Sequence, residues 1–182
     1  MNPVMDPVEA RPEAASKLLP AARGADLASD DRAPCVTTAL TIPAAVTEVF
    51  ALITNARQWP RWHPATASVR ETPDRPLLQG DSVVESIHAA GRSFDARWVV
   101  VECDAPRRWV IATDSAQGCA WIEYTLAPEQ AGTRFTRRLR WRSHGAFWAL
   151  FDPWLTRWIL ARQSKQALLN LAGLFHSPEP AR

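Results

Sequence analysis

The chain has 182 residues, of which 47% are hydrophobic and 22% charged, and its formal net charge is +2 at pH 7. This length suits one domain with a tail, and the composition excludes an intrinsically disordered protein. A net charge so close to zero gives little long-range attraction for polyanions, so we expect no nucleic-acid partner.

Neither cysteines nor histidines are spaced like a metal or redox site. Cys35, Cys103 and Cys119 lie far apart, and the four histidines are scattered. No stretch reaches the roughly 18 uninterrupted apolar residues that a membrane span requires, and the N-terminus lacks a charged segment followed by an apolar run. We therefore expect a cytoplasmic protein in a reducing compartment, with no metal, no cofactor and no integral membrane segment.

The first 34 residues differ in composition from the rest. They hold five of the fifteen prolines among alanine and charged residues, which is typical of a flexible segment. A short helix over residues 12–19 is the alternative for part of this segment. We predict a flexible extension at 1–34, a folded domain at 35–176 and a disordered tail at 177–182.

The domain is expected to begin with a strand at Cys35–Ile42, a β-branched run that Pro43 ends. From Ala44 the apolar residues recur at helical spacing, which predicts a helix of about ten residues that closes near Asn55. Two prolines then bracket two tryptophans within residues 58–64. Since proline interrupts regular structure, we expect only a short helical turn there.

Six further strands are predicted between residues 65 and 142. Turn signals such as Gly80-Asp81 and Gln130-Ala131-Gly132 separate them. Successive short connections indicate an antiparallel meander. The predicted strands cover residues 65–71, 81–88, 92–103, 109–113, 120–126 and 133–142.

The last segment, 145–175, carries apolar residues at intervals of three and four, and Pro153 can occupy a first helical position. This pattern predicts a short turn and then one helix of about twenty residues. No other predicted element is long enough to cover a large sheet. The predicted fold class is therefore α+β: a curved antiparallel sheet of about seven strands, wrapped around a long C-terminal helix, with two short helices between strands 1 and 2.

Several segments, in this order, resemble a known family. They are Trp59-Pro60-Arg61-Trp62-His63-Pro64, the Gly80-Asp81 turn, Tyr124-Thr125-Leu126-Ala127-Pro128 before Gly132-Thr133, and the closing helix. Together they resemble the START-like (SRPBCC) superfamily with its helix-grip fold, especially the polyketide cyclase/dehydratase-like branch, over about residues 36–175. The resemblance implies an internal cavity that binds lipids, polyketides or other apolar molecules. It implies no particular reaction, because a fold does not fix a function.

Large aromatic side chains are the candidate walls of this cavity, because small-molecule pockets are mostly apolar. We expect one stripe of the last helix to face the sheet, and Lys165 lies within it. Its other members are Trp154, Trp158, Ala161, Leu168 and Ala172. Any of these rings could instead fill ordinary core. The candidate ligand-binding residues are Trp59, Trp62, Phe94, Trp98, Trp109, Tyr124, Phe135, Arg137, Trp141, Phe151, Trp154 and Trp158.

Alternation along strand 133–142 places Arg137 on its apolar face. A buried charge must be paired or must contact a polar ligand group. The candidate protein partners are Glu85 and, if its strand has the opposite phase, Asp95. We favour a structural ion pair, or a bulge that turns Arg137 outward. The alternative is an Arg137 that binds a carboxylate or enol oxygen of a ligand.

His63 is the best acid–base candidate, because its segment should lie at the pocket rim and imidazole titrates near neutrality. A rim histidine that only packs or caps is the more common case. Glu85 and Arg137 are the weaker catalytic candidates. The outward-facing arginines of strand 133–142 form a basic stripe, which we interpret as a solvated sheet face.

The favoured function is binding, for sequestration or transport, of a hydrophobic small molecule such as a lipid or polyketide-like metabolite. The first alternative is a cyclase, dehydratase or aromatase in which Arg137 steadies an oxyanion and His63 or Glu85 moves a proton. The second is a protein-interaction module with a vestigial pocket. No catalytic constellation is visible in the sequence, and assembly is left open between a monomer and a homodimer.

Overall fold

The computed structural model describes residues 22–89, 92–115, 118–143 and 153–176. Its helices are α1 (Ala22–Asp26), α2 (Val46–Thr54), α3 (Trp59–Trp62) and α4 (Pro153–Gly173), with a 3-10 turn at Ala56–Gln58. None of the helices in these ranges combines the length and the apolar character that a membrane crossing needs. The strands are β1 (Cys35–Ile42), β2 (Thr66–Arg70), β3 (Ser82–Ala89), β4 (Arg92–Asp104), β5 (Arg108–Ser115), β6 (Gly118–Glu129) and β7 (Gly132–Ser143).

The seven strands form one antiparallel sheet in the order β1-β7-β6-β5-β4-β3-β2. Every strand from β2 to β7 pairs with its neighbour in the sequence, and β1 pairs with β7. The sheet curls around α4, with the short helices between β1 and β2, so the predicted fold class is confirmed. We call the sheet face toward α4 the concave face and the opposite one the convex face.

The register brings a row of side chains together on the concave face. Thr38 lies opposite Arg137, Arg137 opposite Tyr124, and Tyr124 opposite Trp109. Directly opposed residues of antiparallel strands share a face, so this row crosses four strands on one side of the sheet. It connects the core near Trp109 to the polar centre of the concave face.

Aromatic side chains fill the core beneath α3. Trp109 is fully buried, with its ring edge-on to Trp59 at 6.3 Å and stacked on Tyr124 at 5.6 Å between ring centroids. Its indole nitrogen donates a hydrogen bond to the carbonyl oxygen of Leu77 at 3.1 Å. Phe135 is also fully buried and stacks on Tyr124, with 5.4 Å between the ring centroids. These contacts fix β5, β6 and β7 against the segment that contains α3.

The face that helix α4 turns to the sheet overlaps only in part with the predicted stripe. Leu168 and Ala172 of this stripe are buried as predicted, whereas Lys165 is exposed and Trp158 is 50% exposed. The buried face includes Ser164 and is rotated by about a quarter turn from the predicted stripe. Two interactions explain the difference: Ser164 on the buried face bonds Arg137, and Trp158 on the outer face lies under the guanidinium of Arg162 at 5.7 Å.

Residues 22–34 are packed on the convex face, so the prediction of a flexible extension is wrong for this part of it. Leu27 is fully buried in an apolar cluster that includes Trp121. Arg140 donates hydrogen bonds to the carbonyl oxygens of Leu27 at 2.9 Å and Ala28 at 2.6 Å. The sheet has apolar side chains on both faces and needs a cover on each. Residues 1–21, including the alternative helix at 12–19, and the tail 177–182 lie outside the described residues.

The basic stripe of β7 is largely neutralised by acidic neighbours. Arg138 lies 3.7 Å from Glu123 and Arg142 lies 2.6 Å from Asp30. Exposed pairs of this kind contribute little to stability, but they reduce the positive field of the convex face. The stripe therefore offers a weak attraction for polyanions.

Candidate functional site

A cavity of about 200 Å³ lies between the concave face and the N-terminal half of α4. Its volume is below the roughly 300–1,000 Å³ of pockets for drug-sized ligands, so it suits a small molecule. Most of its lining is apolar, with polar groups contributed by His63, by strands β2, β3, β5, β6 and β7, and by α4. The aliphatic walls include Ile87, Ile111, Ile122, Leu139 and Leu160.

The cavity brings together many, but not all, of the candidate ligand-binding residues. Trp109 and Phe135 are absent from the lining, because both are buried in the core behind Tyr124. Trp158 lies on the outer side of α4, Phe151 lies outside the described residues, and of Trp154 only the backbone is described. Those in the lining are Trp59, Trp62, Phe94, Trp98, Tyr124, Arg137 and Trp141.

Glu85 is a buried carboxyl group in the cavity wall, on β3 between Val83 and Ile87. Thr66 donates a hydrogen bond to one of its oxygens, and the indole of Trp98 donates to the other at 2.7 Å. Burial raises the pKa of Glu85, although these two bonds and the charge of Arg137 act in the opposite direction. The protonated, neutral form of Glu85 is therefore populated at a higher pH than that of an exposed glutamate.

Arg137 lines the same cavity and is only 3% exposed. It donates a hydrogen bond to the hydroxyl of Ser164 at 2.6 Å, and its positive charge opposes the rise that burial causes in the pKa of Tyr124. Among the described residues its Nε has no hydrogen-bond partner, and no carboxylate lies within 4.0 Å of it. Asp95 instead pairs with Arg70 at 2.5 Å. Both structural interpretations favoured from the sequence, an ion pair and an outward bulge, are therefore wrong.

His63 ends α3 at the edge of the cavity, with its Nδ1 3.1 Å from the hydroxyl of Thr66. Because Thr66 also bonds Glu85, the three polar groups form one hydrogen-bonded chain. Burial and the positive charge of Arg137 lower the pKa of His63 from 6.5 to about 3. The imidazole is accordingly neutral near pH 7 and can accept a hydrogen bond, but its lowered pKa makes it a weaker base than an exposed histidine.

We expect His63 to make the domain less stable as the pH falls below 6.5. Its pKa is lower in the folded chain than in the unfolded one, so the unfolded state binds more protons in this range. If the ring stayed fully neutral in the folded state, the free energy of unfolding would fall by about 1.4 kcal/mol per pH unit. The partial exposure of the ring reduces this loss to roughly 1 kcal/mol. Urea unfolding at pH 6.5 and 5.5 should show a smaller acid loss for His63→Gln than for the unmodified protein.

The exposed His88 provides the matched control for this measurement. His88→Gln should retain the full acid loss of stability. An acid loss that is the same in His63→Gln and in the unmodified protein would contradict the lowered pKa of His63.

The polar residues that contact Glu85 and Arg137 were not among the candidates from the sequence. Thr66 falls within a predicted strand and Ser164 within the predicted final helix. Their shared signal was weak, since a small hydroxyl residue beside apolar ones is common in ordinary strands and helices. Among the described residues, no group of three or more His, Cys, Asp or Glu side chains is arranged to hold a metal ion.

A sequence profile for the family "Polyketide cyclase / dehydrase and lipid transport" matches residues 33–175. A comparison by sequence with curated proteins found no match. Among solved structures, a START superfamily protein from Mycobacterium smegmatis matches with a TM-score of 0.65 at 10% identity. That match covers 78% of this chain and 96% of the other.

Two further solved structures resemble the chain. The di-domain ARO/CYC BexL from the BE-7585A biosynthetic pathway matches with a TM-score of 0.66 at 17% identity, over 86% of this chain and 55% of its own. The Bacillus halodurans protein BH1534 matches with a TM-score of 0.61 at 13% identity, over 79% of this chain and 97% of its own. At these identities the likeness concerns the fold alone.

Proposed function

The chain belongs to the polyketide cyclase / dehydrase and lipid transport family, and we propose that its cavity binds a hydrophobic small molecule for sequestration or transport. A lipid or a polyketide-like metabolite is the class of ligand that the family description suggests. The observation that carries the proposal is the cavity itself, which lies between sheet and α4 and is walled mainly by apolar side chains.

The physical basis is the transfer of apolar surface out of water. A ligand in this cavity would contact Phe94, Trp98 and Trp141 together with the aliphatic walls. Each buried methylene group contributes about 0.8 kcal/mol, so a chain of a few carbons provides useful affinity. The aromatic walls supply large contact areas with few rotatable bonds, which lowers the entropy lost on binding.

We expect Ala120→Phe to block ligand binding. Ala120 lines the cavity on β6, and a benzyl group at this position would occupy space that the ligand needs. Titration with N-phenyl-1-naphthylamine, an apolar fluorescent probe, should give a dissociation constant at least tenfold higher than that of the unmodified protein. Native mass spectrometry should likewise show less co-purified or added ligand.

Ala127→Phe is the control, because Ala127 lies on the same strand with an exposed side chain. This variant should bind the probe normally. Equal binding by both variants would contradict the assignment of the cavity as the binding site. Absence of binding to the probe and to a panel of fatty acids in the unmodified protein would overturn the proposed function.

A second candidate function is a cyclase or dehydratase, and one observation favours it: His63, Glu85 and Arg137 line the same cavity. In such an enzyme, Glu85 or His63 would move a proton while Arg137 stabilised a developing oxyanion. Incubation with an enolisable polyketide analogue, followed by mass spectrometry of the product, tests this candidate. Unchanged compound recovered from a complex that demonstrably forms would argue for binding alone.

A further inference from the structure

From the surroundings of Arg137 we infer that the ligand of this cavity is an anionic amphiphile. Its single carboxylate binds the guanidinium of Arg137, and its apolar body fills the remaining volume. The inference rests on the proposed function and narrows it to one class of ligand. It is carried by the contacts that Arg137 makes and by those it lacks within the described residues.

Arg137 carries a buried positive charge. Its side chain lies almost fully inside the protein, flanked on the same face of β7 by Phe135 and Leu139. An arginine side chain stays protonated in proteins, so the positive charge cannot be removed by losing a proton. A buried cation without an anionic partner is unfavourable, and an anion that enters the cavity would relieve this cost.

The hydrogen-bond donors of Arg137 are only partly satisfied. A guanidinium has five N–H groups, and the partner found for it among the described residues is the hydroxyl of Ser164. This hydroxyl is neutral, and Nε is buried without a partner among the described residues. A carboxylate is the group that matches the planar fork of arginine, since it accepts two parallel bonds. The cavity therefore presents donors that are suited to a carboxylate.

Glu85 is the acidic side chain of the cavity that could serve as the counter-charge instead. Its two oxygens already accept hydrogen bonds from Thr66 and Trp98, and it forms no ion pair with Arg137 within 4.0 Å. Glu85 and Arg137 influence each other through space, but this long-range effect leaves the donors of Arg137 free. Glu85 consequently reduces the cost of the charge without occupying the site.

Beyond Arg137 and the chain formed by His63, Thr66 and Glu85, most of the lining is aromatic and aliphatic, with neutral polar side chains such as Thr113, Thr156 and Gln163. Arg142, the second arginine of the lining, is already paired with Asp30. A second acidic group on the ligand would therefore lose its hydration without an unpaired cation to compensate it. The ligand therefore carries one acidic group and an apolar body small enough for a cavity of about 200 Å³.

Three compounds with the same ten-carbon chain test the inference: decanoate, 1-decanol and decylamine. At about pH 7.5 they are respectively anionic, neutral and cationic. Isothermal titration calorimetry of the full chain should show decanoate binding about tenfold to a hundredfold more tightly than decanol, the range given by a charge-assisted hydrogen bond. Decylamine should bind least tightly of the three.

Two variants test whether Arg137 causes the preference for decanoate. Arg137→Gln keeps a hydrogen-bonding side chain but removes the charge, so its preference for decanoate over decanol should disappear. Arg137→Lys keeps the charge and should retain part of this preference. Arg134→Gln is the matched control, since Arg134 lies on the same strand with an exposed side chain. Circular dichroism establishes that each variant is folded.

The outcomes separate this inference from the function on which it rests. If decanol binds as tightly as decanoate to the unmodified protein, the inference is overturned while the proposed function stands. If the preference for decanoate survives in Arg137→Gln, the anion is bound elsewhere and the inference is again overturned. If none of the three compounds and no apolar probe binds, the proposed function fails. The comparison of decanoate, 1-decanol and decylamine needs no variant, so it tests the preference for an anionic ligand even if Arg137→Gln does not fold.

Discussion

Trp109→Ala is expected to lower the free energy of unfolding by about 3–5 kcal/mol, the range for truncating a large buried aromatic residue. Trp109 is fully buried between Trp59 and Tyr124, so its loss would leave a cavity between two rings that cannot close it. The carbonyl oxygen of Leu77 would also lose the hydrogen bond donated by the indole, which adds to the cost.

Trp158→Ala is the matched control, because this tryptophan is half exposed on the outer side of α4. Its truncation should cost at most about 1 kcal/mol, since a surface ring gives up little buried area. Guanidinium chloride unfolding of both variants measures the difference. Similar costs at the two positions would contradict the distinction between a core Trp109 and an exposed Trp158.

Gly132→Ala is expected to lower the free energy of unfolding by about 3 kcal/mol. Gly132 begins β7 with φ of +131°, a backbone conformation essentially restricted to glycine. A Cβ there would collide with the carbonyl oxygen of Ile42 and come within 3.0 Å of the backbone nitrogen of Ala44. The β1 strand and the entry to α2 would have to move, and this junction also holds the hydrogen bond from Thr133 to the carbonyl oxygen of Ala44.

Gly80→Ala separates the effect of the positive φ from the effect of the collision. Gly80 also has a positive φ, +87°, but a Cβ built on it meets no atom within 4 Å. It should therefore cost about 1 kcal/mol, the penalty for the backbone conformation alone. The difference between the two variants in urea unfolding measures the collision at the β1–β7 junction. Equal costs would show that the close approach at Gly132 does not constrain the fold.

The fold could be predicted because its signals are local. Cys35–Ile42 is β-branched and ends at a proline, and each predicted strand is separated from the next by recognisable turn residues. Short connections leave the antiparallel meander as the simplest topology. These signals, together with the segment around Trp59 and Trp62, also gave the family resemblance, which is confirmed.

Parts of the site could be predicted for the same reason. Alternation alone places Arg137 and Glu85 on the inner face of the sheet. Their partners could not be predicted, because each partner comes from another element. Ser164 depends on the rotation of α4 about its own axis, and Trp98 on the register between β3 and β4. Such contacts are set by packing across the whole domain, which periodicity does not encode.

The cover on the convex face could not be predicted from composition. Residues 22–34 are rich in charge and alanine, and their one large apolar anchor, Leu27, gives no periodic signal. Their order comes from distant partners: Arg140 holds two of their carbonyl oxygens, and Gly24 lies where a Cβ would be 2.6 Å from the carbonyl oxygen of Thr113. Composition describes a segment by itself, whereas this segment is ordered by the sheet on which it lies.

The order of strands also bears on how the protein behaves at high concentration. The outermost strands are β1, against which α4 packs, and β2, which has only five residues, is interrupted by a bulge between Thr66 and Ser68 and is contacted by α3. A long regular edge would accept a strand from another molecule and seed aggregation. Ala120→Phe and Arg137→Gln lie outside both edge strands, so we expect these variants to resist intermolecular strand pairing as well as the unmodified protein does.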